Sequence, residues 1–411
     1  MLTKKTLLGL SIALFSIHFA IAQTDEQKEN FNSFINRVMD NSTPIKIKKL
    51  ELEAEAYRAK QTEYFYLPKL TATAKAKRQG DAINNQLTAT ALIYDSTLNH
   101  RFNEKDLKLK ATELALTKEK EDLYITITNN LIGIHHLNEL TKTTDDLNHK
   151  AQTIFSSINR RYQSGIAKLS DVEQATLLMQ RIETEQKNIK TEIEQYKSNI
   201  ELASGIPFPE GGVQVPNKLI KQLNSTYIDN QHTEQNIDFN ILRMQADALK
   251  ENAKQQDSLF NISLIAEERY LDKQRNHNES YAGVEVKVNV FDLDKKLSKI
   301  AQLKMYEATK GKADYKYKET TARIKNLKFI SLSNETELTS LQAQLDTMRA
   351  IIISQEREYE ISQSSFYEMV NTLFDMLTIE RRIAELIISD MKNKMEYVQL
   401  TGKLAEIETS S

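Results

Sequence analysis

The sequence reads as one unit written twice, and the order of elements within each copy is unusual: a helix, two short alternating strands, one very long helix, then a returning helix. The first copy runs from about Phe31 to Ala203 and the second from about Asp229 to Leu404. Strand pairs set between long helices are rare in compact domains, which layer their elements around one core. A duplicated unit of this kind suggests part of a closed, symmetric wall rather than a compact enzyme.

Long helices are possible here because proline is nearly absent. The five Pro stand at Pro44, Pro68, Pro207, Pro209 and Pro216, so the stretches from Pro68 to Pro207 and beyond Pro216 are free of a residue that breaks helix interiors. From Leu98 to Arg161 the only glycine is Gly133, and at ~1.5 Å per residue that stretch is a rod of roughly 90 Å. A second rod, about one heptad longer, is expected from Asp294 to Ser362. Heptads run through both copies. Ile324, Leu338, Leu345, Ile352 and Tyr359 share one phase of the second rod, with Leu327, Leu341 and Met348 three residues on. In the first returning helix Val172, Met179, Ile193 and Ile200 share a phase with Ala175, Ile182, Ile189, Tyr196 and Ala203. A sustained spacing of three and four is the coiled-coil signature.

Period two marks the strands. They are expected at about 69–78 and 86–95 in the first copy and at about 259–267 and 281–291 in the second. The clearest is the last, where Val284, Val286, Val288 and Val290 alternate with Glu285, Lys287 and Asn289. Residues 204–228 hold three of the five Pro and read as a linker with little regular structure, and residues 405–411 as a short frayed tail.

Composition narrows the chemistry. No Cys is present, which excludes disulfides, thiolate metal sites and a Cys nucleophile. Lys and Arg number 55 against 57 Asp and Glu, a balance that gives no electrostatic case for nucleic acid. Phosphate loops, Gly-x-Ser-x-Gly and His-Glu-x-x-His are all missing, so nothing points to an enzyme or a cofactor. His135 and His136 are adjacent and so do not share a helix face, which argues against a metal site. Residues 1–22 read as a secretory signal: Lys4 and Lys5, an apolar run from Leu7 to Ile21, and a small-x-small site at Ala20-Ile21-Ala22. No later segment has the ~18 consecutive apolar residues of a transmembrane helix. An exported chain of this kind would cross a membrane only as strands.

The start of each returning helix carries a motif. Tyr162-Gln163-Ser164-Gly165-Ile166-Ala167-Lys168-Leu169-Ser170-Asp171-Val172 can be set against Phe366-Tyr367-Glu368-Met369-Val370-Asn371-Thr372-Leu373-Phe374-Asp375-Met376, so that the aromatic, the Leu and the Asp coincide. In the first copy Gly165 frees the backbone to turn, and Met369 stands in its place in the second. Ser170 or Asp171 can also simply cap the returning helix.

On these residues the chain resembles the TolC-like outer-membrane efflux proteins. Tyr162-Gln163-Ser164-Gly165 with Leu169 and Asp171 looks like that family's tip motif, Leu67-Pro68-Lys69-Leu70 like its first-strand entry, and Tyr94-Asp95 and Val290-Phe291-Asp292 like its strand-to-rod junctions. The resemblance implies a mostly α fold with β-hairpins, assembled as a homotrimer whose strands close a barrel in outer-membrane lipid and whose helices continue as a hollow tunnel across the periplasm. It implies passive conduction, an inner-membrane pump as energy source and a periplasmic adaptor at the helical tips, near Gly165, Leu169, Met369 and Leu373. It implies an aperture with Asp375 and Asp171 as its acids and Asn371 where the family has an Arg, so that, without that salt bridge, the aperture is expected to be held less firmly or by Tyr162, Phe366 and Tyr367. A soluble periplasmic coiled-coil stalk or adaptor is the competing reading of the same helical periodicity.

Overall fold

The structure, a computed structural model, describes residues 28–75, 84–229, 233–270, 279–360 and 366–408. The expected signal segment, residues 361–365 of the second hairpin end and the outer tips of both strand pairs lie outside these residues. A short β1 (Glu29–Asn30) leads into α1 (Phe31–Asn41) and α2 (Thr43–Glu63). The break between them falls at Ser42, and Pro44 sits in the first turn of α2, where a missing N–H costs no helix bond. Strands β2 (Lys69–Lys75) and β3 (Asn84–Asp95) follow, then the rod α3 (Leu98–Gln163) and the returning α4 (Leu169–Ser204). A connecting segment holds β4 (Val213–Gln214) and α5 (Asn217–Ser225). The second copy consists of α6 (Ile237–Gln255), β5 (Phe260–Tyr270), β6 (Glu279–Val288), the rod α7 (Leu293–Glu360), α8 (Phe366–Leu400) and a final α9 (Leu404–Glu408).

Two expectations about the connections are corrected. The segment 204–228 is not structureless. Leu219 and Leu223, four residues apart on α5, are fully buried against the middle of the rods, and β4 pairs in parallel with β1. Nor do residues 404–408 fray, because α9 buries Leu404 and Ile407 in the same core. Two apolar residues per short helix are enough to dock it, a weak signal against the background of much longer heptad runs.

The rod α3 has 66 residues and the described part of α7 has 68. The heptad residues do face other helices: Ala175, Ile182, Ile189 and Ile200 on α4 and Ile324, Leu327, Leu345 and Ile352 on α7 are all buried. One core lies at mid-height around Phe31, Phe34, Leu131, Ile132 and Met395. Another lies lower, around Ile158, Leu178, Phe366 and Leu373.

The four long strands form one antiparallel sheet in the order β2-β3-β5-β6. The helices attached to them repeat that order, with α2 packed on α3, α3 on α6 and α6 on α7. Each helix therefore continues its own strand, and β2 with α2 and β6 with α7 make the two free edges of the wall.

Candidate functional site

The sheet has two unlike faces, set by register. Leu70 pairs with Ala89, Ala89 with Ala266 and Ala266 with Ala282, so these residues share one face. Leu264 with Val284, Ile262 with Val286 and Phe260 with Val288 lie on the same side. The opposite face carries Thr71, Thr88, Ser263, Glu267, Glu285 and Lys287. Exposure identifies the curvature. On the inner strand β5 the apolar-face Leu264 is 50% exposed, whereas its polar-face neighbours Ser263 and Glu267 are only 7% and 8% exposed. A sheet that crowds one face and splays the other is curved, with the crowded side inside; here the polar face is concave and the apolar face convex. That is the reverse of a water-soluble sheet, which turns its apolar side inward.

The strands end differently from expectation. β6 stops at Val288 and not at Phe291, so Val290, 92% exposed, is outside the ladder. Asn289 adds one last rung, donating its N–H to Leu259 O at 2.9 Å, and its side-chain amide donates to Ser258 O at 2.9 Å. Asp292 then caps α7 by accepting from Lys295 N–H at 3.0 Å. At the other end β5 and β6 run on into Glu267–Tyr270 and Glu279–Ser280, residues whose charge suggested a loop. Asp95 does for α3 what Asp292 does for α7, accepting from Thr97 N–H at 2.8 Å and from Arg101 at 2.8 Å. Tyr64, Tyr66, Tyr94 and Phe291 stand exposed around this junction, the position at which aromatic residues flank the apolar band of a membrane barrel.

At the far end of the rods the first hairpin turns as its sequence suggests. Gly165 takes φ 75°, and Asp171 accepts from Lys168 N–H at 3.4 Å, so its local role is to cap α4. Tyr162 and Leu169 are 40% and 52% exposed, and Ile166 beside them 69%.

The second hairpin differs from the sequence match. Phe366 is already helical, so Met369 and Leu373 lie inside α8 and are buried to 3% exposure each, not displayed at a tip. α4 ends on the left-handed Gly205 and α8 on the left-handed Gly402, 197 residues apart. The motif match has an offset of 204, one heptad more than these helix ends. A slip of seven leaves every apolar residue on its face, which is why periodicity did not reveal it. In the structural register Tyr359 answers Tyr162 and Glu368, the acid of the first turn of α8, answers Asp171. Tyr359 packs against Phe366 at 5.6 Å between ring centroids, and the Arg161 guanidinium lies 4.7 Å over its ring. Burial pushes the Tyr359 phenol up; Arg161 opposes the shift and the Asp171 carboxylate adds to it. Asp375 is exposed and Asn371 half-buried on α8. Among the described residues no hydrogen bond joins Asn371 to Asp171 within the chain.

No helix among the described residues is long and apolar enough to cross a membrane. No family model matches the sequence, and no curated protein does. Solved structures are similar. CusC, described in terms of transmembrane channel formation, matches at TM-score 0.77 and 12% identity over 90% of this chain and 91% of that one. The outer membrane protein VceC of Vibrio cholerae matches at 0.73 and 13% identity over 90% and 95%. The CmeC outer membrane channel of Campylobacter jejuni matches at 0.71 and 13% identity over 90% and 85%. At such identities the likeness is one of fold, and the chain has, along nearly its whole length, the fold of these outer-membrane channels.

Proposed function

We propose that this chain is one subunit of a passive exit duct that crosses the outer membrane as strands and the periplasm as helices. The observation that carries the reading is the convex apolar sheet face with two unpaired edges, continued directly by rods. In lipid every backbone N–H and C=O needs a partner, so a four-stranded sheet with open edges is not viable there alone. An even number of alternating strands lets β6 of one copy pair antiparallel with β2 of the next. Three copies give a twelve-stranded closed wall, the homotrimer implied by the family resemblance. Ile47, Leu50 and Tyr57 on α2, and Leu297, Ile300 and Met305 on α7, are exposed along those same two edges and supply apolar surface for the joint. A soluble stalk would leave both the sheet face and these edges against water.

The duct holds no nucleotide motif, so its energy comes from an inner-membrane pump acting through a periplasmic adaptor. The adaptor docks at the hairpin ends. The apolar exposed group Tyr162, Ile166 and Leu169 beside Gly165 is the contact on the first hairpin; Met369 and Leu373 support it from within. Asp375, with Asp171, Asn371, Tyr162 and Phe366, is the candidate lining of the aperture. Val284→Arg, farther from the rod junction on the convex face, tests the membrane part. The expected outcome is loss of the detergent-extracted trimer from outer-membrane fractions, at a cost of about 2–4 kcal/mol per chain. A stable wild-type monomer recovered without detergent would overturn the proposal.

A further inference from the structure

The convex face is not equally tall on the two copies. Its rungs can be followed across all four strands. Leu70, Ala89, Ala266 and Ala282 share one rung, and all four are apolar. On the next rung of that face, away from the rods, β2 and β3 carry Ala72 and Leu87, whereas β5 and β6 carry Glu268 and Ser280. Leu87 is 42% exposed, so the first copy still displays apolar surface where the second has turned polar. Glu268 has no hydrogen bond or ion pair among the described residues. Neither the chain nor hydrocarbon satisfies it, so it belongs at the level of headgroups or water. The lower limit of the apolar band is marked at the rod junction by Tyr94 and Phe260, whose rings lie 5.6 Å apart. From Phe260 to Glu268 the strand advances eight residues, about 26 Å. Tilted by about 35–45°, that length spans about 18–21 Å of membrane, against an apolar band of about 25 Å between the girdles of an outer-membrane barrel. β6 repeats the figure from Val288 to Ser280. Strands hydrogen-bonded into one sheet cannot change tilt singly, so the lipid has to close the gap, and a short apolar stretch is met by thinning of the bilayer.

We propose that β5 and β6 present a lipid-facing surface matched to a thin bilayer, and that each subunit draws the outer headgroups inward to Glu268 and Ser280 while β2 and β3 accept an ordinary thickness. The inference rests on the duct reading above, which sets the convex face in lipid. Because β6 is a free edge, the thinned strip lies beside the joint between copies.

The test is thermal unfolding of the purified full-chain oligomer in vesicles of dilauroyl, dimyristoyl and dioleoyl phosphatidylcholine, a series of increasing hydrocarbon thickness. The wild type is expected to have its highest Tm in dilauroyl lipid and to lose Tm with each step. The double variant Glu268→Leu with Ser280→Ala gives the second copy the residue types of the first, and should move the maximum at least one step toward thicker lipid. Ala266→Ser with Ala282→Ser shortens the band by a further rung; it should steepen the loss in dioleoyl lipid, and it keeps the test readable if the first variant fails to assemble. A wild-type maximum in dioleoyl lipid, or a Glu268→Leu/Ser280→Ala variant that ranks the three lipids as the wild type does, overturns this inference alone. A wild-type protein that enters no vesicle overturns the duct reading and this inference with it.

Discussion

In the first copy α3 and α4 meet through Ala151, Ile158, Ala175, Leu178 and Ile182, and the polar bonds between them are neutral or singly charged: Gln186 donates to Asp145 at 2.7 Å and Asn199 to Asn130 at 3.5 Å. In the second copy α7 and α8 are joined by three Arg–Glu pairs as well: Arg323–Glu396, Arg382–Glu337 at 2.8 Å and Arg349–Glu380 at 3.1 Å. Position explains the difference. α8 packs on α7, α3 and α4 at once, whereas α7 is an edge helix with Phe329, Leu332 and Ile353 in the open. Exposed ion pairs contribute only about 0–1 kcal/mol each. Their use here is to fix the register of an edge helix whose apolar seam alone would tolerate a slip of seven. The first hairpin has a different safeguard. Gly133 lets α4 approach so closely that an added Cβ would lie 2.7 Å from the Tyr196 ring, a lock that admits one register.

The sharpest challenge to this contrast is Leu373→Ala against Leu178→Ala. Both should cost about 2–5 kcal/mol per chain in urea unfolding of the oligomer, the range for emptying a buried Leu site. Because α8 serves three neighbours, limited proteolysis should open both hairpins in the Leu373 variant and the α3–α4 pair first in the Leu178 variant. Identical cleavage patterns would break the comparison. Next in size is Arg381→Gln. Arg381 on α8 reaches Glu185 at 2.7 Å and Glu192, both on α4, and Glu385 at 2.9 Å on its own helix. Its loss leaves those acids without their cation and should cost about 2 kcal/mol, with the α4–α8 joint showing the gain in hydrogen exchange. Gly165→Ala should cost about 1 kcal/mol through left-handed backbone alone, because no atom lies within 4 Å of the added Cβ.

The smallest effect is absent at neutral pH. Burial, reinforced by adjacent His135, holds the His136 imidazole down at about 4 from an ordinary 6.5. The unfolded chain takes up this proton first, so the stability tied to His136 is complete above about 6.5 and is lost as pH falls through about 4. Neither α7 nor α8 contains a His. Acid should therefore loosen the first hairpin before the second, and His136→Gln should flatten the pH dependence of Tm over that window. A wild-type Tm that does not fall across it would remove the distinction.

Much of this was legible in the chain. Alternation at Leu87, Ala89 and Ala91 against Thr88 and Thr90 marked a two-faced strand, and the lack of Pro marked the rods. Gly165, Tyr162 and Leu169 fall in or beside the first turn, while Met369 and Leu373 were displaced into a buried helix by a match one heptad out of register. The tip residue Tyr359, paired with Arg161, was treated as one more heptad position because its partner is distant in sequence.

The sequence by itself determined the local periods: which residues alternate, which recur at three and four, and where proline permits long helices. These are properties of neighbours along the backbone, and side-chain geometry within one strand or helix enforces them. Tertiary structure decided the absolute register of α7 against α8 and which face of the sheet became concave. A repeat of seven is unchanged by a shift of seven, and curvature is a joint property of four paired strands. Only contacts between distant segments, such as Arg323 with Glu396 or Glu267 with Tyr281, remove those degeneracies.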